Sequence, residues 1–300
     1  DFATFVDAMP VNQRTHGHGQ GYTDLNFLIP ELVQKVHYQK GPYDAQVGDF
    51  ASAGTAHIDY LRQMDSPLAQ VTLGQGGFRR ILLAGSPAAD AGQGKLLYGL
   101  EMFRNDGPWQ TPEDLRKLNG VLRYSDGSAL NGFALTAMAY RSQWTSTDQV
   151  AQRAIDQGLI GRFGSLDSTT GGQTQRYSLS GEWHRDNGTA GRTQLSAYAM
   201  AYRLDLNSNF TYALERPDDG GDQYPRRHVQ PAVSGAVLRQ RDRAALQLLP
   251  GLRPEHGAVC AVGSNRSSRR TSNICVCCQL ALLFLRSRWT ADATRPGLRR

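Results

Sequence analysis

Apolar and polar residues alternate with a period of two in several segments of the first 224 residues. One face of each segment carries apolar side chains, such as Leu100, Leu122 and Leu179, while the other carries Glu101 or Arg123. This period is typical of β-strands that have one apolar and one polar face. The clearest of these predicted strands are residues 68–74, 95–103, 115–124 and 176–184.

Two further segments, residues 131–141 and 193–206, are predicted strands without an assigned apolar face. Phe133 falls on one side of the first of them and Met138 on the other, so alternation does not separate the faces.

The first 60 residues predict a small mixed sheet. Residues 35–40 and 55–60 alternate as half-buried strands, and Pro30 with Glu31 is typical of the start of a short helix. The predicted core of this unit consists of Phe5, Val6, Leu25, Phe27, Leu32, Val36, Tyr38 and Ile58.

Charge is divided unevenly along the chain. The net charge of +6 suggests a basic protein, but residues 225–300 contain 14 arginines, no lysine and three acidic residues. The first 224 residues are therefore acidic overall. A nucleic-acid-binding function, for which the basic charge is the signal, is a third and weaker interpretation that rests on residues 225–300 alone.

Residues 225–300 differ from the rest in every respect. They contain all four cysteines and no tyrosine. They lack alternation, and they contain no Cys-x-x-Cys pair matched by a second such pair, as a zinc site would need. The abrupt change favours translation out of frame, and the prediction is a disordered tail without a function of its own.

The longest apolar run, residues 274–285, is shorter than the roughly 20 residues of a membrane-spanning helix. A membrane protein with this sequence must therefore cross the bilayer as a β-barrel. Aromatic residues on the apolar faces are candidates for an interfacial girdle. They are Tyr98, Tyr124, Tyr177 and Trp183.

Several motifs resemble one family. The stretch ELVQKVHYQKGPYDAQVGDFASAGTAHI, residues 31–58, resembles the end of the plug domain of TonB-dependent outer-membrane receptors, and FVDAMPVN resembles an earlier plug strand and turn. Ala8 stands where that family usually has glycine, and Ala151 replaces an expected proline. NDGPW, THGHGQGY and the segment around residues 146–167 resemble barrel or loop segments, so the resemblance extends to about residue 224.

This resemblance implies a mostly β fold: a partial plug with a small mixed sheet, then antiparallel strands of an incomplete transmembrane β-barrel. The implied boundaries are residues 1–66 for the plug portion, 67–224 for the first barrel strands, and 225–300 for the aberrant tail. It also implies a bacterial outer-membrane location and energised uptake of a scarce solute such as a siderophore. As given, the chain is expected to be a non-functional fragment.

The implied partners are the TonB–ExbB–ExbD system, whose contact segment is expected to lie outside this sequence, the solute or metal chelate, and outer-membrane lipid. Nucleic acid is not an expected partner. The family carries out gating rather than chemistry, so the resemblance implies no cofactor and no catalytic residue, and the sequence contains no nucleophile elbow, P-loop or dinucleotide fingerprint.

A polar, glycine-rich loop, residues 12–24, is expected at the outward apex of the plug. Its candidate ligand-binding residues are Arg14, His16, His18 and Tyr22. Two histidines two positions apart lie on one side of an extended chain, but they lack the further ligands of a complete metal site. These residues are therefore candidates for a ligand contact, the alternative is a solvated loop that binds no ligand, and no resident metal is predicted.

A different class of function fits the same alternation. A soluble, β-rich secreted protein that binds a sugar or peptide has strands with the same period, because one face packs on a core and the other meets water. Dependence on detergent separates this alternative from the membrane protein.

Overall fold

The computed structural model describes residues 1–13, 21–43, 47–88, 94–145, 149–165, 167–208, 224–241 and 259–263, with only the backbone from residue 208 onward. Among these residues, no helix is both long and apolar enough to cross a lipid bilayer.

The chain begins with a four-stranded mixed sheet, called here the inner unit (residues 1–60). Its strand order is β2-β1-β4-β3, with β1 parallel to β4 and the other pairs antiparallel. A single 3-10 turn, Pro30–Leu32, precedes β3, where proline and an acidic residue are favourable at a helix start. The strands are β1 Phe2–Val6, β2 Met9–Pro10, β3 Val33–Lys40 and β4 Gly54–Tyr60.

A nine-stranded antiparallel sheet, called here the wall, follows the inner unit, and each of its strands pairs with its neighbours in sequence. The only α-helix in the described residues, Gln152–Asp156, lies between β9 and β10. The strands are β5 Leu68–Leu73, β6 Arg79–Gly85, β7 Lys95–Asn105, β8 Leu115–Gly127, β9 Gly132–Thr145, β10 Gly171–Asp186, β11 Arg192–Ser208, β12 Tyr224–Arg241 and β13 Val259–Gly263.

The predicted order, a small mixed sheet followed by antiparallel strands, is confirmed. The predicted faces are also confirmed in β7, β8 and β10. In β8, Leu118, Leu122 and Tyr124 are exposed while Asn119 and Arg123 between them are buried. The wall thus turns its apolar face outward and its polar face toward the inner unit.

The two strands without an assigned face follow the same rule. In β9, Phe133 and Leu135 point outward and are exposed, whereas Met138 and Tyr140 point inward and are buried. Alternation did not separate the two faces of β9 because its inward face is also apolar where it packs on the inner unit. One such contact is that of the Tyr60 hydroxyl with the Met138 sulfur, at 3.7 Å.

Part of the predicted core of the inner unit is wrong. Val6, Phe27, Leu32 and Ile58 are buried, but the chain leaves other members on the surface. β3 is the edge strand of its sheet, and after Val33 its side chains are exposed on both faces. The exposed members are Leu25, Val36 and Tyr38, while Phe5 is half-buried and stacks on His57.

The turn between β1 and β2 explains how alanine is tolerated at position 8. The left-handed backbone conformation falls on Asp7, with φ of 50°, rather than on Ala8. Aspartate enters this region more readily than most residues, so the turn does not require glycine.

The sheet continues beyond residue 224, where the sequence predicts a disordered tail. β12 pairs with β11, and β13 pairs with β12. This difference arises because antiparallel pairing uses backbone groups, which an edge strand offers to any extended segment. Pro231, which has no amide hydrogen to donate, falls at the register shift between the pairs Met200–Val233 and Tyr202–Gln230. The other residues of the predicted tail lie outside those that the structure describes.

Candidate functional site

Connections of different lengths mark the two ends of the wall. One end carries the connections at residues 86–94, 128–131 and 187–191. The other carries those at 74–78, 106–114 and 146–170 and is called here the long-loop end, because it holds the longest of these connections. Membrane barrels place their longer loops outside the cell.

The inner unit is attached to the wall by two charged clusters, and the first lies around Arg80 of β6. Its guanidinium donates to both carboxylate oxygens of Glu31 of the inner unit, at 2.6 and 2.9 Å, and to Glu101 of β7 at 2.6 Å. Lys117 and Asn119 also contact Glu101, at 3.0 and 2.8 Å. The Arg80 hydrogen bond lowers the pKa of Glu31 against the opposing effect of burial, so this attachment is ionised at neutral pH.

The second cluster lies around Arg123 of β8. Its Nη1 donates a hydrogen bond to Asp7 of the inner unit and a second one, 2.8 Å long, to Thr136. Its Nη2 reaches Glu182 of β10 at 3.3 Å, and Glu182 in turn contacts His184 at 3.3 Å. The cluster therefore connects the inner unit to three strands of the wall.

Asp7 is the member of this cluster whose pKa is raised. Burial raises its pKa to about 6, although the Arg123 charge and a hydrogen bond from the Tyr60 amide oppose the shift. A cavity of about 10 Å³, room for roughly one water molecule, adjoins Asp7, Arg123 and Glu182.

A row of inward, buried polar side chains crosses the middle strands of the wall at one level. We call it the polar belt: Glu101, Asn119, Tyr140, Arg176 and Tyr202, one from each strand from β7 to β11. Each has at most 4% of its surface exposed. Asn119 donates to the backbone carbonyl of Asn26 at 3.2 Å, and the Arg176 guanidinium lies over the Phe27 ring at 4.3 Å.

Close packing supports these polar contacts. A Cβ atom at Gly99 of β7 would lie 2.6 Å from Leu32 and 3.2 Å from Ile29 of the inner unit. Glycine at this position therefore allows the inner unit to pack directly against the wall.

Hydrogen bonds fix the two ends of the predicted apex loop, residues 12–24. The Asn12 side chain accepts from the Thr4 amide at 2.7 Å and donates to the carbonyls of Phe2 and Gly21 and to the Thr23 hydroxyl, at 2.9 to 3.0 Å. A backbone bridge between Gln13 and Tyr22 closes the loop. Gln13 and Tyr22, which lie on either side of residues 14–20, are therefore held together.

Of the four predicted ligand residues, only Tyr22 is described. It is half-buried at the loop base, and burial, with a smaller effect of the Asp24 charge, raises its pKa. Arg14, His16 and His18 lie outside the described residues, so their role stays a prediction. Within the described part of the chain, no group of three or more histidine, cysteine, aspartate or glutamate residues is placed to hold a metal ion.

Sequence reasoning missed Asn12 and the polar belt. Nothing in the alternation distinguishes Arg176 from any other polar residue of an inward face. The belt arises from strand register, which aligns residues far apart in sequence. Asn12 carried a usable signal, because asparagine beside a glycine-rich loop often bonds to nearby backbone groups.

No protein-family model and no curated protein matches the chain. Solved structures do match. One is the siderophore receptor PiuA from Acinetobacter baumannii, with a TM-score of 0.59 and 11% identity over 79% of this chain and 35% of that one. Another is the open form of the ferric-catecholate import receptor Fiu from E. coli K12, with a TM-score of 0.52 and 12% identity over 78% of this chain and 38% of that one.

The chain thus spans little more than a third of the length of these receptors. At this identity the likeness is one of fold. The resemblance to TonB-dependent receptors inferred from sequence motifs is confirmed at that level: an inner mixed sheet against a wall of antiparallel strands.

Proposed function

We propose that this chain is the plug-side part of a TonB-dependent receptor of the bacterial outer membrane that imports a ferric siderophore or a similar metal chelate. The inner unit is the plug and the wall is the first part of the barrel. The observation that carries the proposal is the orientation of the wall, with Leu122 and Leu179 about half exposed on the outside and the polar belt buried inside.

This orientation disfavours the soluble alternative. A soluble sandwich buries its apolar face and hydrates its charged face, whereas here the apolar face is outside. Soluble monomers rarely expose contiguous apolar patches of more than a few hundred square ångströms. The outward faces of β7 to β10 carry one aromatic or aliphatic side chain after another: Tyr98, Leu100, Met102, Leu118, Leu122, Tyr124, Phe133, Leu135, Tyr177, Leu179 and Trp183.

Ligand capture is proposed for the apex loop. Arg14, His16, His18 and Tyr22 offer a cation, two imidazoles and a phenol, which suit an anionic chelate that presents oxygen atoms and aromatic rings. The Asn12 base supports this role, since a loop held at both ends loses less entropy when a ligand fixes it.

Plug movement is proposed to depend on the two charged clusters. Pulling the plug requires separation of Glu31 from Arg80 and Asp7 from Arg123, and buried ion pairs are costly to break when one partner stays behind. An external energy source is therefore needed, which fits TonB with ExbB and ExbD as partners. No reaction on the solute is involved, and no residue is assigned a catalytic role.

The test is uptake of ⁵⁵Fe by cells that express an intact receptor, in which residues 1–224 are those of this chain and the barrel reading frame is restored after codon 224. With ferric 2,3-dihydroxybenzoate as the probe, we expect accumulation in cells that contain TonB and none in an isogenic strain without it. Equal accumulation in both strains, or none in either while the protein is present in the outer membrane, contradicts the proposal.

A matched pair of variants tests the apex. His16→Ala combined with His18→Ala is expected to weaken binding of the same probe to isolated outer membranes. His37→Ala, on the exposed edge strand β3, is the control and should leave binding unchanged.

A further inference from the structure

Arg176 is a buried cation that lacks hydrogen-bond partners. It is 1% exposed, yet Nε, Nη1 and Nη2 have no partner among the described residues. The Asp24 carboxylate attracts it through charge but accepts instead from the amide and side chain of Asn26, both at 2.9 Å. Most buried guanidinium groups are paired with an acidic group, because burying a charge without an ionic or hydrogen-bond partner is strongly unfavourable.

The neighbours of Arg176 are placed to hold the same ligand. Register puts Tyr140 directly across from it on β9 and Tyr202 directly across on β11, and all three side chains point inward. Ser178 follows on the same face of β10, and its buried hydroxyl also lacks a partner in the described part of the chain. Two phenols, a hydroxyl and a guanidinium together form a surface of hydrogen-bond donors.

A short segment of the plug covers this surface. The Phe27 ring centroid lies 4.3 Å from the guanidinium carbon, and the Asn26 carbonyl accepts from Asn119 farther along the belt. The Phe27 ring and the Asn26 carbonyl oxygen thus cover part of the inward face of the polar belt. This cation–π contact stabilises the charge of the guanidinium but gives its N–H groups no hydrogen-bond acceptor.

We propose that Arg176, with Tyr140 and Tyr202, is an internal binding station for the anionic oxygens of the imported chelate, exposed when residues 24–27 of the plug move away. This inference rests on the proposed function and extends it, because the station lies beneath the plug surface and not at the apex. The guanidinium geometry selects carboxylate or catecholate oxygens, which it contacts in pairs.

The test separates binding at the apex from passage through the barrel. In the intact receptor, Arg176→Met removes the charge and keeps a long apolar side chain that stacks on Phe27. Energised uptake of ferric 2,3-dihydroxybenzoate should fall at least about tenfold, the effect of losing one hydrogen bond to a charged group. Equilibrium binding of the same probe to de-energised membranes should stay within about twofold.

Thermal unfolding tests whether Arg176 has a structural role instead. Because the wild-type cation is unpaired, R176M should melt at the wild-type temperature or above it. Arg176→Lys retains the charge and should recover part of the uptake. The control is Arg203→Gln. Arg203 lies on the outward face of β11 and pairs with Asp205 at 2.7 Å. This variant should transport as the wild type does.

The outcomes are distinguishable. Wild-type uptake by R176M, or an uptake loss matched by a lower melting temperature and less folded protein, overturns the station and leaves the receptor function standing. A loss of equilibrium binding in R176M also overturns it, because the residue would then belong to the apex site. Absence of TonB-dependent uptake by the wild type overturns the receptor function and the station together.

Discussion

At the scale of single residues, Gly99 decides how closely the plug meets the wall. A methyl group there would press on Leu32 at 2.6 Å, so Gly99→Ala should destabilise the protein by about 1–3 kcal/mol, as overpacking commonly does. Gly120 on the adjacent strand is a matched control, since its added Cβ would meet nothing closer than 4.0 Å. Urea unfolding in detergent measures both variants, and equal effects would show that the plug does not pack at Gly99.

The Asp7 carboxyl gives a pH-dependent prediction at the same scale. Its pKa in the folded protein, about 6, lies above the ordinary value of 3.8, so the folded state binds this proton more tightly than the unfolded state. The contribution of Asp7 to stability is then fully present below about pH 4 and is lost as the pH rises through 6. The Asp7→Asn variant has no carboxyl group at this position, so its stability lacks this dependence on pH.

The melting temperature of D7N relative to the wild type should therefore increase between pH 4.5 and 7.5. Asp65→Asn, on an exposed residue, shows the effect of the charge change alone. A relative melting temperature that falls over this range would mean that the pair with Arg123 outweighs burial.

At the scale of elements, each wall strand from β6 to β11 has an apolar outward stretch that ends in polar residues toward the long-loop end. On β10 the outward residues change from Leu179 and Tyr177 to Gln175 and Gln173. Leu179→Arg should impair folding into bilayers by about 2–4 kcal/mol, the cost of arginine near the midplane of a barrel. Gln173→Arg on the same face can pair with Asp205, which Gln173 already contacts at 3.1 Å, and should fold normally.

The measurement is the fraction of protein that becomes resistant to protease after refolding into lipid vesicles. Equal loss in L179R and Q173R would count against a lipid-facing β10.

Sequence alone predicts the strands well and the contacts between units poorly. Alternation places Leu122 and Arg123 on opposite faces without any tertiary information, because side chains on a strand alternate. It does not assign β9, since Met138 and Tyr140 become interior only through contact with the plug. Val36 and Tyr38 show the opposite failure, because the pattern does not reveal that β3 is an edge strand.

At the scale of the whole molecule, we propose that the barrel-forming sequence stops near residue 224. β12 pairs with β11 through its backbone, but its residues, YPRRHVQPAVSGAVLRQR, do not alternate like those of β7 to β10. Nucleotide sequencing through codon 224 should reveal, in another reading frame, about ten-residue alternating segments separated by turn residues. Their absence from both other frames would contradict the out-of-frame origin of residues 225–300.

The central claim is that the outward face of the wall meets lipid. Spin labels attached to cysteine at Leu122, Leu179 and the exposed turn residue Ser128, in a variant whose four native cysteines are serine, test it in outer-membrane vesicles. The account predicts that the labels at 122 and 179 collide more often with oxygen than with a water-soluble nickel chelate, and that the label at 128 does the reverse. More frequent collision with nickel at both 122 and 179 would contradict it.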